Sequence, residues 1–434
     1  MKKIIISILE VLSLFGCVDL KQEPLSFLTP ENVSYDESNM TTMANGLYRA
    51  LWGWNYGYCC RLFTLTLGAD DVIAGQLSKT RVIVIDELRA DATISELDVK
   101  YFWTNMYNLI LNSNLMIEGI SGSSGSFEEK KPYLGEAYFM RAFAYYNLVR
   151  IFGDVPAIID SKSAQDVLGN ENIGRNRVAD IYDKIIVPDL IMAEEYLPEV
   201  PRTRDNSSVG KIAAQTCLSE VYLTMAGWPL KRTEYYAKAA EKAKQIIEAS
   251  YNTHRLVEHY EDLWKEVMKS DNTEHIFAIN CSRLNSMASQ YGISFLAMEE
   301  NGWSDYLADE AFYLKYPDDE RKAFNYKTTY NRAGRPGQTI IVPYTQSTMK
   351  SPFINKYRDY GTDAAQSDGI IPIYRYADVL LIYAEAQNLA NNGPDDLAYR
   401  CINDVRKRAT GGTPNDIPEN LSGEDFDKYV FDER

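Results

Sequence analysis

The chain has 434 residues, 45% of them hydrophobic, and a formal net charge of −16. It is long enough for one large domain or for two or three smaller ones. So acidic a balance argues against nucleic acid as a partner, because phosphate binding needs a basic face. The six cysteines form no C-x-x-C pair, so the spacing supports neither a zinc site nor a thioredoxin-like centre. We therefore expect no metal and no cofactor.

The N-terminal residues have the layout of a secretory signal: two lysines, a short apolar run and a glycine before Cys17. The apolar run is too short to span a bilayer. The sequence LFGC resembles a bacterial lipobox, in which the cysteine is lipidated, although Glu10 and Phe15 depart from that pattern. An ordinary signal with a chance cysteine, or a buried helix, are the alternatives. We expect residues 1–16 to be a signal peptide, Cys17 to carry lipid, and the polar residues 17–38 to form an extended tether.

Helical periodicity dominates the next two hundred residues. The run GEAYFMRAFAYYNLVRIFGDVP, residues 135–156, carries two neighbouring apolar stripes at helical spacing. So wide a band predicts a helix that is covered on more than one side. Three alanines leave room for close helix approach, and Gly153 followed by Pro156 is a helix stop signal.

Four helix pairs are predicted, beginning near Asn39, Tyr133, Gly210 and Tyr374. The last pair, residues 375–409, is 35 residues long, which is close to the length of a tetratricopeptide repeat. Length and amphipathicity match that repeat, but its full consensus is absent. The predicted fold is therefore mostly α, with four degenerate tetratricopeptide-like pairs as a scaffold.

The pattern breaks between residues 252 and 372. EHIFAINCS alternates like a strand, and GQTIIVPYT and SPFINKYRDYG are short and bounded by loop residues. Glycine, proline, asparagine, aspartate and tyrosine are frequent there. We expect a loop-rich insertion with a few short strands between the third and fourth helix pairs.

Motifs for catalysis are missing. The chain has only three histidines, and it contains no H-E-x-x-H, G-x-S-x-G or phosphate-binding glycine loop. His254 and His259 are five residues apart and so do not share a helical face. With 61 carboxylates a close acidic pair is inevitable and carries no signal of its own. We predict that the protein is not an enzyme.

The stretch WGWNYGYCCR, directly after the first predicted helix, is the best candidate for ligand binding. It alternates Trp52, Trp54, Tyr56 and Tyr58 with small or polar residues. A loop of this kind can present several flat rings to a sugar, with a few fixed polar groups for orientation. The alternative is that the loop only caps the first repeat.

Further candidates lie later in the chain. Asp71 follows in LGADDVIAG, where a turn or helix cap is the alternative to ligand contact. Trp303 and Tyr306, in NGWSDYLADE, are three apart and would share one side of a helical turn. Trp228, in the turn GWPL, is expected to be a structural lid.

Several of these motifs resemble those of one known family. GEAYFMRAFAYYNLVRIFGDVP is similar to that family's Arg-Ala-Phe helix with a Phe-Gly-x-x-Pro turn, and RYADVLLIYAEAQN resembles its second hallmark. INDVRKRA, EHIFAIN and KYRDYG also match, in the same order. The chain is thereby identified as a member of the SusD/RagB-like nutrient-binding lipoproteins, with a single α-domain over residues 39–434.

The resemblance implies a function. Such a protein is a lipid-anchored, surface-exposed lipoprotein of the outer membrane that captures oligosaccharides and covers a SusC-like, TonB-dependent transporter. Some members instead bind peptides, so a peptide-binding, RagB-like lid is the alternative. The resemblance also implies that the aromatic helix is scaffold. In the family, Glu-Arg opens a further motif, but here the chain ends on these two residues, so it resembles a C-terminally truncated member.

Overall fold

The structure, a computed structural model, describes nine stretches of the chain: residues 34–52, 67–76, 80–89, 96–168, 173–203, 205–250, 253–333, 338–357 and 367–434. Helices account for most of the described secondary structure, which confirms the predicted mostly helical fold class. They are α1 (Glu37–Arg49), α2 (Thr80–Asp86), α3 (Glu96–Gly122), α4 (Phe127–Phe152), α5 (Ser161–Leu168), α6 (Val178–Ile181), α7 (Val187–Tyr196), α8 (Lys211–Ala226), α9 (Tyr235–Ser250), α10 (Tyr291–Phe295), α11 (Glu310–Lys315), α12 (Glu320–Asn325), α13 (Tyr376–Asn391), α14 (Asp396–Ala409) and α15 (Gly423–Glu433).

The long helices pack one after another in a continuous row. Helix α3 packs on α4, α4 on α7, α7 on α8, and α8 on α9. The row then passes directly from α9 to α13, although more than a hundred residues separate these two helices in the chain, and ends with α14 and α15. Such serial packing buries one continuous core, as stacked helical units do. None of the helices in the described stretches is both long and apolar enough to cross a membrane.

Helix α4 lies at the centre of this core. Every residue from Tyr133 to Val149 is buried except Tyr138, so the predicted wide apolar band is confirmed. The helix ends at Gly153, whose φ of 68° is readily adopted only by glycine. It begins at Phe127, six residues before the predicted start near Tyr133.

The strands form four separate two-stranded antiparallel ribbons, paired as β1–β3, β2–β8, β4–β7 and β5–β6. Apart from β1, all of these strands lie between residues 275 and 375. They are β1 (Val72–Ala74), β2 (His275–Asn280), β3 (Tyr306–Ala308), β4 (Tyr326–Lys327), β5 (Thr329–Ala333), β6 (Thr339–Pro343), β7 (Phe353–Ile354) and β8 (Ile370–Arg375). The few short strands expected from the sequence are therefore present.

Strand β2 joins the ribbons to the helices. The strand predicted from its alternating sequence is confirmed, but its first five residues are all buried, so neither face is open to solvent. The ring of Phe277 meets those of Phe139 and Phe143 on α4 edge-on, with centroids 5.9 and 6.4 Å apart. Just before the strand, fully buried Glu274 accepts a hydrogen bond of 2.8 Å from Arg408 of α14. These contacts fix the start of β2 relative to the helical scaffold.

Candidate functional site

A cleft of about 180 Å³ lies where α1, β2 and two polar turns meet; we call it the Trp52 cleft. Its walls come from the end of α1 with Leu51 and Trp52, from residues 202–208, from the end of β2, and from residues 282–287. These segments are far apart in the chain, so tertiary packing alone assembles the site.

The first wall is built by the end of α1. Its buried face places Met40, Ala44 and Leu47 in the core. Beyond the helix the chain turns, and the backbone N–H of Trp52 donates to the carbonyl of Arg49 at 3.0 Å. Trp52 is only 9% exposed, so the cleft receives one edge of a ring that otherwise belongs to the core.

The second wall is the turn at residues 202–208. Arg202 donates two hydrogen bonds to Glu136 of α4, Nε to Oε1 at 2.9 Å and Nη2 to Oε2 at 3.2 Å. Thr203 and Ser208 bond each other reciprocally, each backbone N–H donating to the other's hydroxyl at 2.8 Å. Charge-assisted bidentate pairs and reciprocal turns hold side chains in defined positions. This wall is therefore rigidly placed by the central helix.

The third wall is the end of β2. A register shift near Phe277 leaves the backbone N–H of Ala278 free to donate to the carbonyl of Asn206 at 3.0 Å. Asn280 Nδ2 donates to the carbonyl and to Oδ2 of Asp205, both at 3.1 Å. Burial opposes ionisation of Asp205, but hydrogen bonds from Ser207 and Asn280 outweigh it and lower the pKa of that carboxyl.

The side-chain oxygen of Asn280 is a hydrogen-bond acceptor without a partner among the described residues. This atom, Oδ1, is buried. A buried polar atom without a partner is costly and calls for an explanation. Asn280 lines the cleft, and a hydroxyl or N–H group of a ligand can donate to this oxygen once the side chain turns it towards the opening.

The fourth wall is a small hairpin turn. Ser282 and Met287 exchange two backbone hydrogen bonds, at 3.0 and 2.7 Å. Arg49 of α1 reaches across the cleft rim, with its Nη1 3.2 Å from Met287 Sδ. Asn285 lies at the tip of the turn and is exposed, so its amide is accessible from solvent.

Small neutral polar groups dominate the lining: three asparagines, three serines and a threonine, beside one tryptophan, one tyrosine and one arginine. Amides and hydroxyls both donate and accept, which suits a polyhydroxyl ligand. Pockets that enclose a whole small molecule usually measure about 300–1,000 Å³. A cleft of about 180 Å³ therefore suits one unit of a longer ligand.

Three predicted site residues cannot be located in the structure: Trp54, Tyr56 and Tyr58 lie outside the described residues, as does Cys17. They directly follow Trp52 along the chain. Trp52 itself lines the cleft, but it is more deeply buried than a stacking platform in a loop would be.

Asp71, Trp303 and Tyr306 gather around the β1–β3 ribbon instead. The carbonyl of Asp71 accepts from the backbone N–H of Asp309 at 3.0 Å, and Tyr306 pairs with Ala74. None of the three lines the Trp52 cleft. The structure therefore divides the predicted residues between two places.

The prediction that Trp303 and Tyr306 share a helical turn is wrong. Trp303 is half-buried in an irregular stretch, and Tyr306 begins strand β3. The Tyr306 ring is buried against Phe295, with centroids 5.1 Å apart. A ring covered in this way does not offer a flat face to a sugar in this conformation.

The prediction that Trp228 is a structural lid is also wrong. Its side chain is 77% exposed in the turn between α8 and α9. Lys231 Nζ lies 4.7 Å from the centroid of the Trp228 ring, a cation–π arrangement at the surface.

Sequence reasoning missed most of the cleft's polar lining. Arg202, Thr203 and Ser207 sit in the polar run RTRDNSS, and Asn280 ends the strand motif EHIFAIN. A polar loop and the end of a buried strand are common positions for functional groups, which is the signal that could have found them. In the described stretches no group of three histidine, cysteine or acidic side chains could hold a metal ion. Cys217 and Cys401 are buried free thiols, as expected.

Comparison with known proteins identifies relatives over nearly the whole chain. A family model described as starch-binding and associating with the outer membrane matches residues 68–223, and a SusD family model matches residues 253–434. SusD-like protein P2 of Formosa agariphila is 29% identical over 98% of this chain and 85% of its own.

Solved structures share the fold. A SusD superfamily protein from Parabacteroides distasonis superposes with a TM-score of 0.79 at 26% identity, covering 94% of this chain and 86% of that one. A SusD homologue from Bacteroides thetaiotaomicron gives a TM-score of 0.80 at 23% identity, covering 93% and 84%. At 23% identity, the second match shows only that the fold is shared.

Proposed function

Because the chain belongs to the SusD/RagB family, we propose that it binds oligosaccharides at the cell surface and delivers them to a SusC-like, TonB-dependent transporter of the outer membrane. It is held at the membrane by lipid on Cys17 and acts without catalysis or a cofactor. The family model that matches residues 68–223 describes starch-binding proteins associated with the outer membrane, which supports the location and the ligand class.

The observation that carries the ligand class is the lining of the Trp52 cleft. The exposed amides of Asn45 and Asn285 can both donate to and accept from hydroxyl groups, while the hydroxyls of Thr203, Ser207 and Ser208 hold the turn in place through their bonds to one another and to Asp205. Asn280 Oδ1 is an acceptor still without a partner among the described residues. Trp52 supplies an apolar edge in the same cleft. Weak, multipoint binding of this kind suits a protein that must release its ligand to a transporter.

The test is calorimetric titration of the full chain with a panel of neutral and acidic oligosaccharides. The informative variant is Asn45→Ala/Asn285→Ala, because both side chains line the cleft and are exposed, so the fold should tolerate their loss. Two neutral hydrogen bonds at about 1 kcal/mol each make the expected loss of affinity about thirtyfold. Trp52→Ala is unsuitable, since removing a buried tryptophan costs about 3–5 kcal/mol of stability.

The matched control is Asn415→Ala, because Asn415 is exposed and does not line the cleft. This variant should bind the oligosaccharide with the affinity of the wild type. If an oligosaccharide binds the double variant as tightly as the wild type, the oligosaccharide site does not lie in the Trp52 cleft. A peptide library is titrated in parallel. If peptides bind and no oligosaccharide does, the protein is a peptide-binding member of the family and the proposal is wrong.

A further inference from the structure

A second and larger cleft, of about 510 Å³, opens between α9, α13, α14 and the segment 255–259. We call it the α14 cleft. Its volume falls within the range of about 300–1,000 Å³ that is usual for ligand sites. It shares no lining residue with the Trp52 cleft, so whatever it binds does not compete directly for that site.

The rim of the α14 cleft is cationic. Arg255, Arg400 and Lys407 line it and are exposed, and none of them forms a salt bridge with the residues described. The carboxylates of Glu258 and Asp404 also line the cleft, and the Asp404 carboxylate interacts electrostatically with Lys407 and Arg400. In a chain of formal net charge −16, an opening whose exposed lining carries three cations and two carboxylates is locally positive and attracts anions.

The acidic groups cancel only part of this positive field. Burial raises the pKa of the Asp404 carboxyl, and the nearby Lys407 and Arg400 counteract that effect. The fourth cation, Arg408, is buried and already bonded to Glu274. The three exposed side chains are therefore the ones available to an incoming ligand.

The spacing of these cations suits an extended occupant. Arg400 and Lys407 are seven residues apart on one helix, which places them about two turns, or roughly 10 Å, apart along the α14 axis. At this separation each cation can pair with a carboxylate of its own. An extended peptide advances about 3.3 Å per residue, so carboxylates two to four residues apart in such a segment match the separation.

The floor of the cleft is aliphatic. It is formed by Leu380 of α13, Leu397 of α14 and the segment Leu256–Val257, together with Ile247. The described lining residues include no serine, threonine, asparagine or glutamine, and Tyr376 is their sole large aromatic ring. This chemistry lacks the neutral hydrogen-bonding groups that make the Trp52 cleft suitable for a sugar, and it favours aliphatic side chains.

We propose that the α14 cleft is a docking site for an extended acidic segment of a partner protein, one that alternates carboxylate and aliphatic side chains. The carboxylates pair with Arg255, Arg400 and Lys407 at the rim, and the aliphatic groups cover the floor. This interaction is independent of oligosaccharide binding in the Trp52 cleft.

The test measures fluorescence anisotropy of a labelled Glu-Leu-Glu-Leu-Glu peptide with the full chain. The variant Arg400→Ala/Lys407→Ala should bind the peptide about tenfold more weakly, since each exposed pair contributes modestly. The matched control Arg89→Ala/Lys428→Ala removes the same charges from exposed sites outside the cleft and should change the affinity less than twofold. Binding by the wild type should also weaken as salt rises.

Two further peptides and one glycan are tested with the wild-type protein, so these measurements do not depend on whether a variant folds. Gln-Leu-Gln-Leu-Gln and Lys-Leu-Lys-Leu-Lys should bind the wild type far more weakly than the acidic peptide. The proposal fails if the three peptides bind alike, if none binds, or if the control pair weakens binding as much as the cleft pair. It also fails if an acidic oligosaccharide displaces the labelled peptide at lower concentration than unlabelled peptide does, because the occupant is then a glycan.

Discussion

His275 links the packing at the start of β2 to the response of the protein to acid. Its side chain is 1% exposed, and Nε2 has no partner among the described residues. Burial, reinforced by the charge of Arg375, lowers the pKa of this imidazole to about 3. The unfolded chain restores the ordinary value of about 6.5. Since the unfolded state then binds the proton more tightly, stability falls as pH drops below about 6.5 and continues to fall towards pH 3.

The corresponding variant is His275→Gln, which removes the titrating group. Between pH 7 and pH 5 the wild type should lose about 2 kcal/mol of unfolding free energy more than this variant loses. Urea unfolding at both pH values measures the difference. His259→Gln, at an exposed position, should keep the pH dependence of the wild type. Equal pH dependence in all three proteins would show that His275 is protonated without cost in the folded state.

Individual aromatic residues were the least predictable part of the site. Trp52 and Tyr306 lie outside the periodic helices, yet both are buried, because Phe295 covers the Tyr306 ring and the turn after α1 folds Trp52 inward. The sequence shows where a ring stands along the chain but not which distant segment covers it. Asn280 and Arg202 were missed for the same reason, since their roles depend on partners more than sixty residues away.

Two glycines in helices allow packing to be separated from helix propensity. Gly46 of α1 is exposed, and a Cβ there would meet nothing within 4 Å. Gly135 of α4 is buried, and a Cβ there would lie 2.8 Å from Leu197 Cγ and 2.9 Å from the Leu197 backbone nitrogen. Alanine is favoured over glycine in both helices by up to about 1 kcal/mol, but only α1 has room for the methyl group.

Gly46→Ala should therefore stabilise the protein by about 0.5–1 kcal/mol. Gly135→Ala should destabilise it by about 1–3 kcal/mol, because the backbone of Leu197 must move to relieve the clash. Thermal or urea unfolding of the two single variants measures both changes. If Gly135→Ala were as stable as Gly46→Ala, the contact between α4 and the chain after α7 would be looser than the structure shows.

At the level of elements, the helices could be predicted and the environment of the strands could not. The burial of helix α4 could be predicted from its own sequence, because a wide band of apolar residues at helical spacing must be covered on several sides. Strand β2 shows alternation in its sequence, yet its first five residues are all buried. Phe277 packs against α4, and the backbone of β2 pairs with β8. Both partners lie about a hundred or more residues away in the chain, which a local pattern does not reveal.

For the molecule as a whole, the row of helices holds two clefts of opposite character. The Trp52 cleft is small and lined by neutral polar groups, whereas the α14 cleft is larger, aliphatic at its floor and cationic at its rim. Each gathers segments that are more than a hundred residues apart. The family resemblance gave the fold and a ligand class from sequence alone, but these juxtapositions depend on three-dimensional packing.

Attachment to the membrane is the last property of the whole molecule to test. With a formal net charge of −16, the protein as a whole is repelled by anionic lipid headgroups, and we expect lipid on Cys17 to hold it at the membrane surface. Cys17→Ser should abolish incorporation of radiolabelled palmitate and move the protein from the membrane fraction to the soluble fraction. Cys60→Ser should leave both properties unchanged. The experiment is run in cells without the transporter, because a transporter could retain unlipidated protein. Membrane association of Cys17→Ser in such cells would mean that the protein is anchored in some other way.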